Sequence, residues 1–212
     1  MVYDKQLLVI GKVWPEPESS AAGSRMIQLL KLFIDEGFTI TFCSAAQKSA
    51  FSFNLETLGI RCEFILLNDS SFDEFVSNIK PHVVLFDRFM TEEQFGWRVR
   101  EQCPDALTML DTEDLHFLRI ARQKSLCNEI SFEDHLYSEA TIREIASILR
   151  TDLSLIISKV EMELLRSTFG VSAEQLFYLP LLIERNQYKS LNEFPDFKQR
   201  RHFISIGNFL HA

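Results

Sequence analysis

The chain of 212 residues is 46% hydrophobic, 25% charged and 12% aromatic, with 19 Phe, 7 Gly and 6 Pro. That composition excludes predominant disorder, collagen-like repeats and linker-like low complexity, and the length suits one large α/β domain or two small ones. With 22 basic against 30 acidic side chains the net charge is −8, and no basic stripe of the kind that displaces counterions from duplex phosphate is present, so no nucleic-acid partner is expected.

Short β-rich runs alternate with longer helical patterns. Residues 6–13 (QLLVIGKV) form an apolar strand that ends in the loop Trp14-Pro15-Glu16-Pro17. Residues 20–36 carry Ala21, Met26, Leu29, Leu30, Phe33 and Ile34 at helical spacing and stop at Gly37. A β-branched strand at 39–43, a helix-like stretch ending at Gly59, a strand at 62–67 and a short helix at 71–79, with Ser71 as its N-cap, follow. Pro81 opens the most strand-like segment, 82–87 (HVVLFD), and a helix over 91–103 carries Glu92 and Glu93 in its first turn. Then come a strand at 106–110, helices at 115–128 and 134–150, a strand at 153–157, a helix at 159–169 and a seventh strand at 175–179. The chain is polar and aperiodic from 184 to 201, and FISIGN at 203–208 reads as the start of one more strand.

This alternation predicts an α/β fold with a Rossmann-like, doubly wound parallel sheet, and the continuous apolar runs at 7–10, 83–86 and 153–157 suit strands buried on both faces. Cys43, Cys62, Cys103 and Cys127 form no C-x-x-C pair and no secretory signal precedes them, which predicts reduced thiols and a cytoplasmic location. No apolar run approaches the roughly 18 residues of a membrane span, while peripheral membrane contact stays open. The basic spot at 198–201 leaves a sugar-phosphate or nucleotide ligand open.

In such a sheet, ligands bind beyond the carboxyl ends of the strands, which selects four places. After the first strand, Lys12 and the small residues of 19–24, including Gly23 and Ser24, lead with Arg25 into a helix start. That start would admit a close anionic or hydroxyl-rich ligand, or is an ordinary capped loop; G-x-G-x-x-G and the P-loop Lys-Ser/Thr are both absent. Asp87 and Arg88 follow the strongest strand, as ligand contacts or as a structural ion pair. Asp111, Asp114 and His116, with Arg119 and Arg122, form the densest polar cluster. Asp111 or Asp114 could cap the helix. The preferred reading makes the carboxylates acceptors of sugar hydroxyls and places His116 near the reacting group. A metal site is not expected there, because no further ligand joins Asp-x-x-Asp and His. Ser158 with Glu161 is an S-x-x-E capping box, which favours a structural role.

Five stretches, VWPEPESSAAGSRM (13–26), HVVLFDRFMTEEQFGWRV (82–99), LDTEDLHFLRIAR (110–122), TDLSLIISKVEMELL (151–165) and FISIGNFLHA (203–212), together resemble the N-terminal half of bacterial GT-B-fold, family 4-like glycosyltransferases. The resemblance implies an acceptor-side domain over 1–183, a linker over 184–202, and the truncated start of a donor-binding domain over 203–212. It implies sugar transfer from a nucleotide-sugar co-substrate to a glycan, lipid or other acceptor with retention, no cofactor or bound metal, and no turnover without the missing half and its E-x7-E region. It assigns Asp111, Asp114 and His116 to the catalytic cleft. Gly23, Ser24, Arg25, Lys12, Asp87, Arg88, Arg119 and Glu161 fall on its substrate-binding side. A stand-alone ligand-binding module and a GT-B-type nucleotide-sugar epimerase are the alternatives; the first strand ends without the acidic pair of a receiver domain.

Overall fold

The computed structural model describes residues 5–127, 131–182 and 194–203. Its core is a seven-stranded sheet, β1 (Lys5–Gly11), β2 (Phe38–Ser44), β3 (Arg61–Phe64), β4 (Val83–Asp87), β5 (Leu107–Asp111), β6 (Leu153–Ile156) and β7 (Leu176–Tyr178). All pairs are parallel and the order is β3-β2-β1-β4-β5-β6-β7. The order reverses between β1 and β4, so the crevice of this doubly wound sheet opens between their carboxyl ends.

Among the described residues seven helices connect the strands: α1 (Ala21–Asp35), α2 (Ser71–Ile79), α3 (Phe89–Gln102), α4 (His116–Cys127), α5 (Phe132–Leu136), α6 (Glu139–Arg150) and α7 (Lys159–Ser167). Alternation along the strands splits the core in two. Leu8, Ile10, Val84, Phe86, Leu110 and Ile156 point to one face, where Phe72, Phe95, Phe117, Ile148 and Leu165 cover them from α2, α3, α4, α6 and α7. Leu7, Val9, Ile40, Phe42 and Leu85 point to the other, covered by Met26, Ile27, Leu29 and Leu30 of α1 and by Leu55. Beyond α1 that second face keeps an apolar groove of about 330 Å³ bordered by Leu29, Phe33, Met109, Leu155, Phe177 and Leu179. Among the described residues no helix is long and apolar enough to cross a membrane. Cys43, Cys62 and Cys103 are free thiols whose burial pushes their ionisation upward.

Several local expectations change. The helix-like stretch before Gly59 is only a 3-10 turn, Leu55–Leu58, closed by Gly59 at φ 75°. Ser71 lies inside α2 rather than capping it, and the Asp69 carboxylate accepts its amide at 2.9 Å. The continuous helix expected over 134–150 is two, because Ser138 starts α6 with a reciprocal capping box to Thr141 and so ends the preceding turn. Thr91 falls within α3, which begins at Phe89. The last residue of the helix expected over 115–128, all of the strand expected over 203–208 except Phe203, and most of the proposed linker and second-domain start lie outside the described residues. Within 194–203 the one element is a 3-10 turn, Phe197–Gln199.

Candidate functional site

The crevice is built from four strand ends. After β1, the Lys12 amide donates to Asp87 Oδ2 at 2.9 Å, tying the first and fourth strands at the switch point. The Lys12 residue also borders a separate hollow of about 170 Å³ with Gly11, Leu67 and Thr91. The loop that follows folds back on α1. Ser19 and Ser20 amides donate to the Glu16 carbonyl at 3.1 and 3.0 Å, and Ser20 Oγ caps α1 by accepting the Gly23 amide at 3.0 Å. A Cβ at Gly23 would lie 2.4 Å from the Glu16 backbone, so glycine here admits the loop. Ser24 Oγ donates to the Pro17 carbonyl at 2.8 Å. Both residues therefore hold the loop, while Ser20, Ala21 and Ala22 border the cleft.

Arg25, one turn on, is buried and reaches Asp111 at the end of β5. Its Nε and Nη2 both donate to Asp111 Oδ1 at 3.2 and 3.1 Å, and Nε also to Oδ2 at 3.1 Å. Nη1 donates to the Pro180 carbonyl at 3.1 Å. Burial pushes the Asp111 carboxyl upward and the Arg25 guanidinium pulls it back.

Asp87 and Asp111 are register partners on β4 and β5. Asp87 is buried, which raises its carboxyl against the pull of Arg88, whose Nε stands 3.7 Å from Oδ1. Arg88 has φ 69° and ψ 157°, a region that residues with a Cβ avoid and that collects at functional sites. It is locked there by its amide donating to the Asp111 carbonyl at 2.8 Å and by Thr91 Oγ1 donating to its own carbonyl at 3.0 Å. In urea unfolding, Arg88→Gly should exceed Arg88→Ala in stability by about 1–2 kcal/mol, the strain relieved less the extra freedom of unfolded glycine. Equal stability of the two variants would show that the backbone relaxes at no cost.

Beyond β5, Asp114 Oδ2 accepts Arg119 Nε at 2.8 Å. His116 Nδ1 lies 3.3 Å from the Asp114 carbonyl, and the ring meets Phe89 edge-on at 5.6 Å. Neither Asp111 nor Asp114 caps α4. Glu144 of α6 does so from across the fold, with Oε1 accepting the His116 amide at 3.1 Å and Oε2 the Phe117 amide at 2.9 Å. Glu161 adds the Leu115 amide. Ser158 accepts the Glu161 amide at 3.4 Å, so half of the expected capping box is present, with the Glu161 carboxylate committed to α4. Burial raises the Glu161 carboxyl.

A cleft of about 630 Å³ runs between these parts, bordered by Ser20, Arg88, Glu113, Asp114, His116 and Arg119. A smaller hollow of about 50 Å³ adjoins it, where Asp87, Arg88, Gly23 and Glu113 meet. Of the expected site residues, Arg88, Asp114, His116 and Arg119 border the larger cleft, Asp87 and Gly23 border the smaller, Arg25 and Asp111 form the buried pair beneath, and Ser24 and Glu161 support loop and helix. Glu113 was not among the expected residues although it borders both hollows. The signal available was its place two residues beyond the end of β5, where ligands gather in such a sheet. Its φ is 63°, and its carboxyl is pushed up to about 8, first by burial and then by Asp111 and Asp87, against Arg88 and Arg25. Among the described residues no group of three or more His, Cys, Asp or Glu is arranged to hold a metal ion.

No known family profile matches the sequence, and no curated protein matches it. Solved structures do match in fold. Sucrose-phosphate synthase from Thermosynechococcus elongatus superposes with a TM-score of 0.57 at 13% identity, over 83% of this chain and 48% of that one. The lipopolysaccharide outer core galactosyltransferase WaaB superposes at 0.54 and 13% identity, over 85% and 47%. A putative UDP-N-acetylglucosamine 2-epimerase from Listeria monocytogenes superposes at 0.52 and 14% identity, over 83% and 45%. An α-glucosyltransferase bound to UDP and DNA is also among them, at 0.50 and 8% identity over 85% and 43%; likeness of fold therefore lends no support to excluding nucleic acid. The chain spans about half the length of these proteins. Its seven-stranded parallel sheet with flanking helices is the Rossmann-like fold of one half of the GT-B enzymes.

Proposed function

We propose that this chain is the acceptor-side half of a nucleotide-sugar glycosyltransferase. The observation that carries the reading is the 630 Å³ cleft at the switch point, where Arg88, Glu113, Asp114, His116 and Arg119 supply polar groups of both signs. Carboxylates and imidazole suit sugar hydroxyls, and clustered cations suit a phosphate-bearing ligand. The fold neighbours add that proteins of this architecture, as their names state, include a galactosyltransferase and a UDP-bound glucosyltransferase. The reading takes the nucleotide sugar as co-substrate with no resident cofactor, takes a cytoplasmic site of action, and assigns donor binding to a second domain beginning near residue 203.

The test is transfer from labelled nucleotide sugars to a panel of saccharide and lipid acceptors, by the 212-residue chain and by a polypeptide that continues into a second Rossmann-like domain. The longer form should transfer and the shorter should not. Loss of one hydrogen bond in His116→Ala should raise the acceptor KM about tenfold. Transfer by the shorter chain would refute the two-half requirement, and failure of the longer form on every donor would refute transfer. A second reading rests on the epimerase among the fold neighbours: interconversion of a nucleotide sugar at one ring carbon, without acceptor, would select it.

A further inference from the structure

Three carboxylates meet at the carboxyl ends of β4 and β5, and their partners divide them. Asp111 is held by Arg25, and Asp87 by the Lys12 amide with Arg88 beside it. Glu113 has no such partner among the described residues, and Asp87 Oδ1, 3.7 Å from Arg88 Nε, likewise makes no hydrogen bond. Glu113 is only 9% exposed, and its Oε1 is buried with no hydrogen-bond partner among the described residues. Leaving a buried carboxyl oxygen unmatched costs about 1–3 kcal/mol, a cost that folds retain where the group has other work. Its backbone stands at φ 63°, so the position is strained as well as unsatisfied. The residue borders both hollows together with Arg88, which follows β4, and the start of α1.

We propose that Glu113 is the catalytic base of the crevice. Its carboxylate takes the proton of an acceptor hydroxyl while that oxygen bonds to the anomeric carbon of the donor. The bond from this carbon to the nucleotide phosphate breaks, and its electron pair leaves on the phosphate oxygen. The assignment rests on the sugar-transfer reading and names the residue that would perform it.

The other carboxylates of the crevice accept hydrogen bonds: Asp114 from Arg119, Asp111 from Arg25 and Asp87 from the Lys12 amide. His116 Nδ1 lies 3.3 Å from the Asp114 carbonyl, which leaves Nε2 to bind the acceptor hydroxyl. The charged groups around Glu113 are Asp111, Asp87, Arg88 and Arg25, with Glu16 from the loop bordering the smaller hollow and Asp114, His116 and Arg119 bordering the larger. Burial with Asp111 and Asp87 places its carboxyl at about 8, within reach of the working range a proton-transfer group needs. A single displacement with the hydroxyl deprotonated by the protein inverts the anomeric centre, as with a general base in sugar hydrolysis. The family resemblance implies retention instead. Product configuration therefore separates the two.

The experiment compares wild type, Glu113→Gln and Glu113→Asp in the polypeptide that carries both halves. Wild-type kcat/KM should rise about tenfold per pH unit until about 8 and then level, and the NMR spectrum of the product should show inversion. Glu113→Gln should lose about 10²- to 10⁴-fold in kcat with acceptor KM within about threefold, and Glu113→Asp should keep part of the rate on a displaced pH limb. A Gln variant within threefold of wild type, or a retained product, overturns the assignment. A readout without substrate runs beside it: in the 212-residue chain with ¹³C-labelled glutamate carboxyls, the resonance missing from Glu113→Gln should titrate near 8. A midpoint at the ordinary 4.5 overturns Glu113 alone. Failure of wild type to transfer any sugar overturns the transfer reading, and the role of Glu113 falls with it.

Discussion

Arg25→Met should cost the fold about 3–5 kcal/mol, measured by urea unfolding at neutral pH. Both side chains of the Arg25–Asp111 pair are fully shielded from solvent. Methionine fills much of the arginine's volume, so the loss reads the charge rather than a cavity. It strands the Asp111 carboxyl under the crevice and frees the Pro180 carbonyl that Arg25 also binds. The double variant Arg25→Met/Asp111→Leu should recover more than half of the loss, because removing both charges also removes the desolvated ion left alone. A double variant as unstable as the single would assign the cost to packing and to the Pro180 contact. A single variant within about 1 kcal/mol of wild type would show that the carboxyl is neutralised by protonation at little expense.

Glu113→Gln carries the second large effect, and its sign depends on pH. The Glu113 carboxyl ionises at about 8 in the fold against an ordinary 4.5. Between those values the native state holds a proton that the unfolded chain has released, so wild-type stability falls as pH rises through that window. Below 4.5 both states are protonated and there is no penalty; above about 8 both are ionised and the penalty is complete. Glutamine never ionises. The variant should match wild type near pH 4.5 and exceed it by on the order of 5 kcal/mol at pH 9, with Asp87 and Asp111 ionising more readily once their neighbour is neutral. Parallel stability curves for the two proteins across this window would refute the raised carboxyl.

Most of the strands were legible because they are apolar runs between turn residues, β3 (Arg61–Phe64) with its two charged residues being the exception, and β1 and β4 sit where buried parallel strands belong. The crevice followed from the rule that ligands gather at the carboxyl ends, and Arg88, Asp114, His116 and Arg119 do border it. What escaped depends on partners distant in sequence. The start of α1 read equally as a ligand-facing site or a capped loop, and it is both: Gly23 borders the smaller hollow while packing on Glu16, and Ser24 spends its hydroxyl on Pro17. Glu144 sits in an unremarkable helical stretch, and its hold on α4 arises only once α6 packs beside it. The strain at Arg88 left no trace either, because a positive φ suggests glycine and the sequence offers arginine. Glu113 lay inside the quoted motif, but neither local spacing nor residue type reveals which of three neighbouring carboxylates goes without a cation.

The borrowed cap of α4 sets an order of assembly. Amides at Leu115, His116 and Phe117 are satisfied by carboxylates 27 to 46 residues further along the chain. Strands β1 to β5 can pair with one another once the chain has been made as far as Asp111. The wall of the cleft that carries His116 must wait until α6 and the first turn of α7 have left the ribosome. The cleft is thus completed late, and a nascent chain stopped before Ser158 would present six paired strands with an unfinished site.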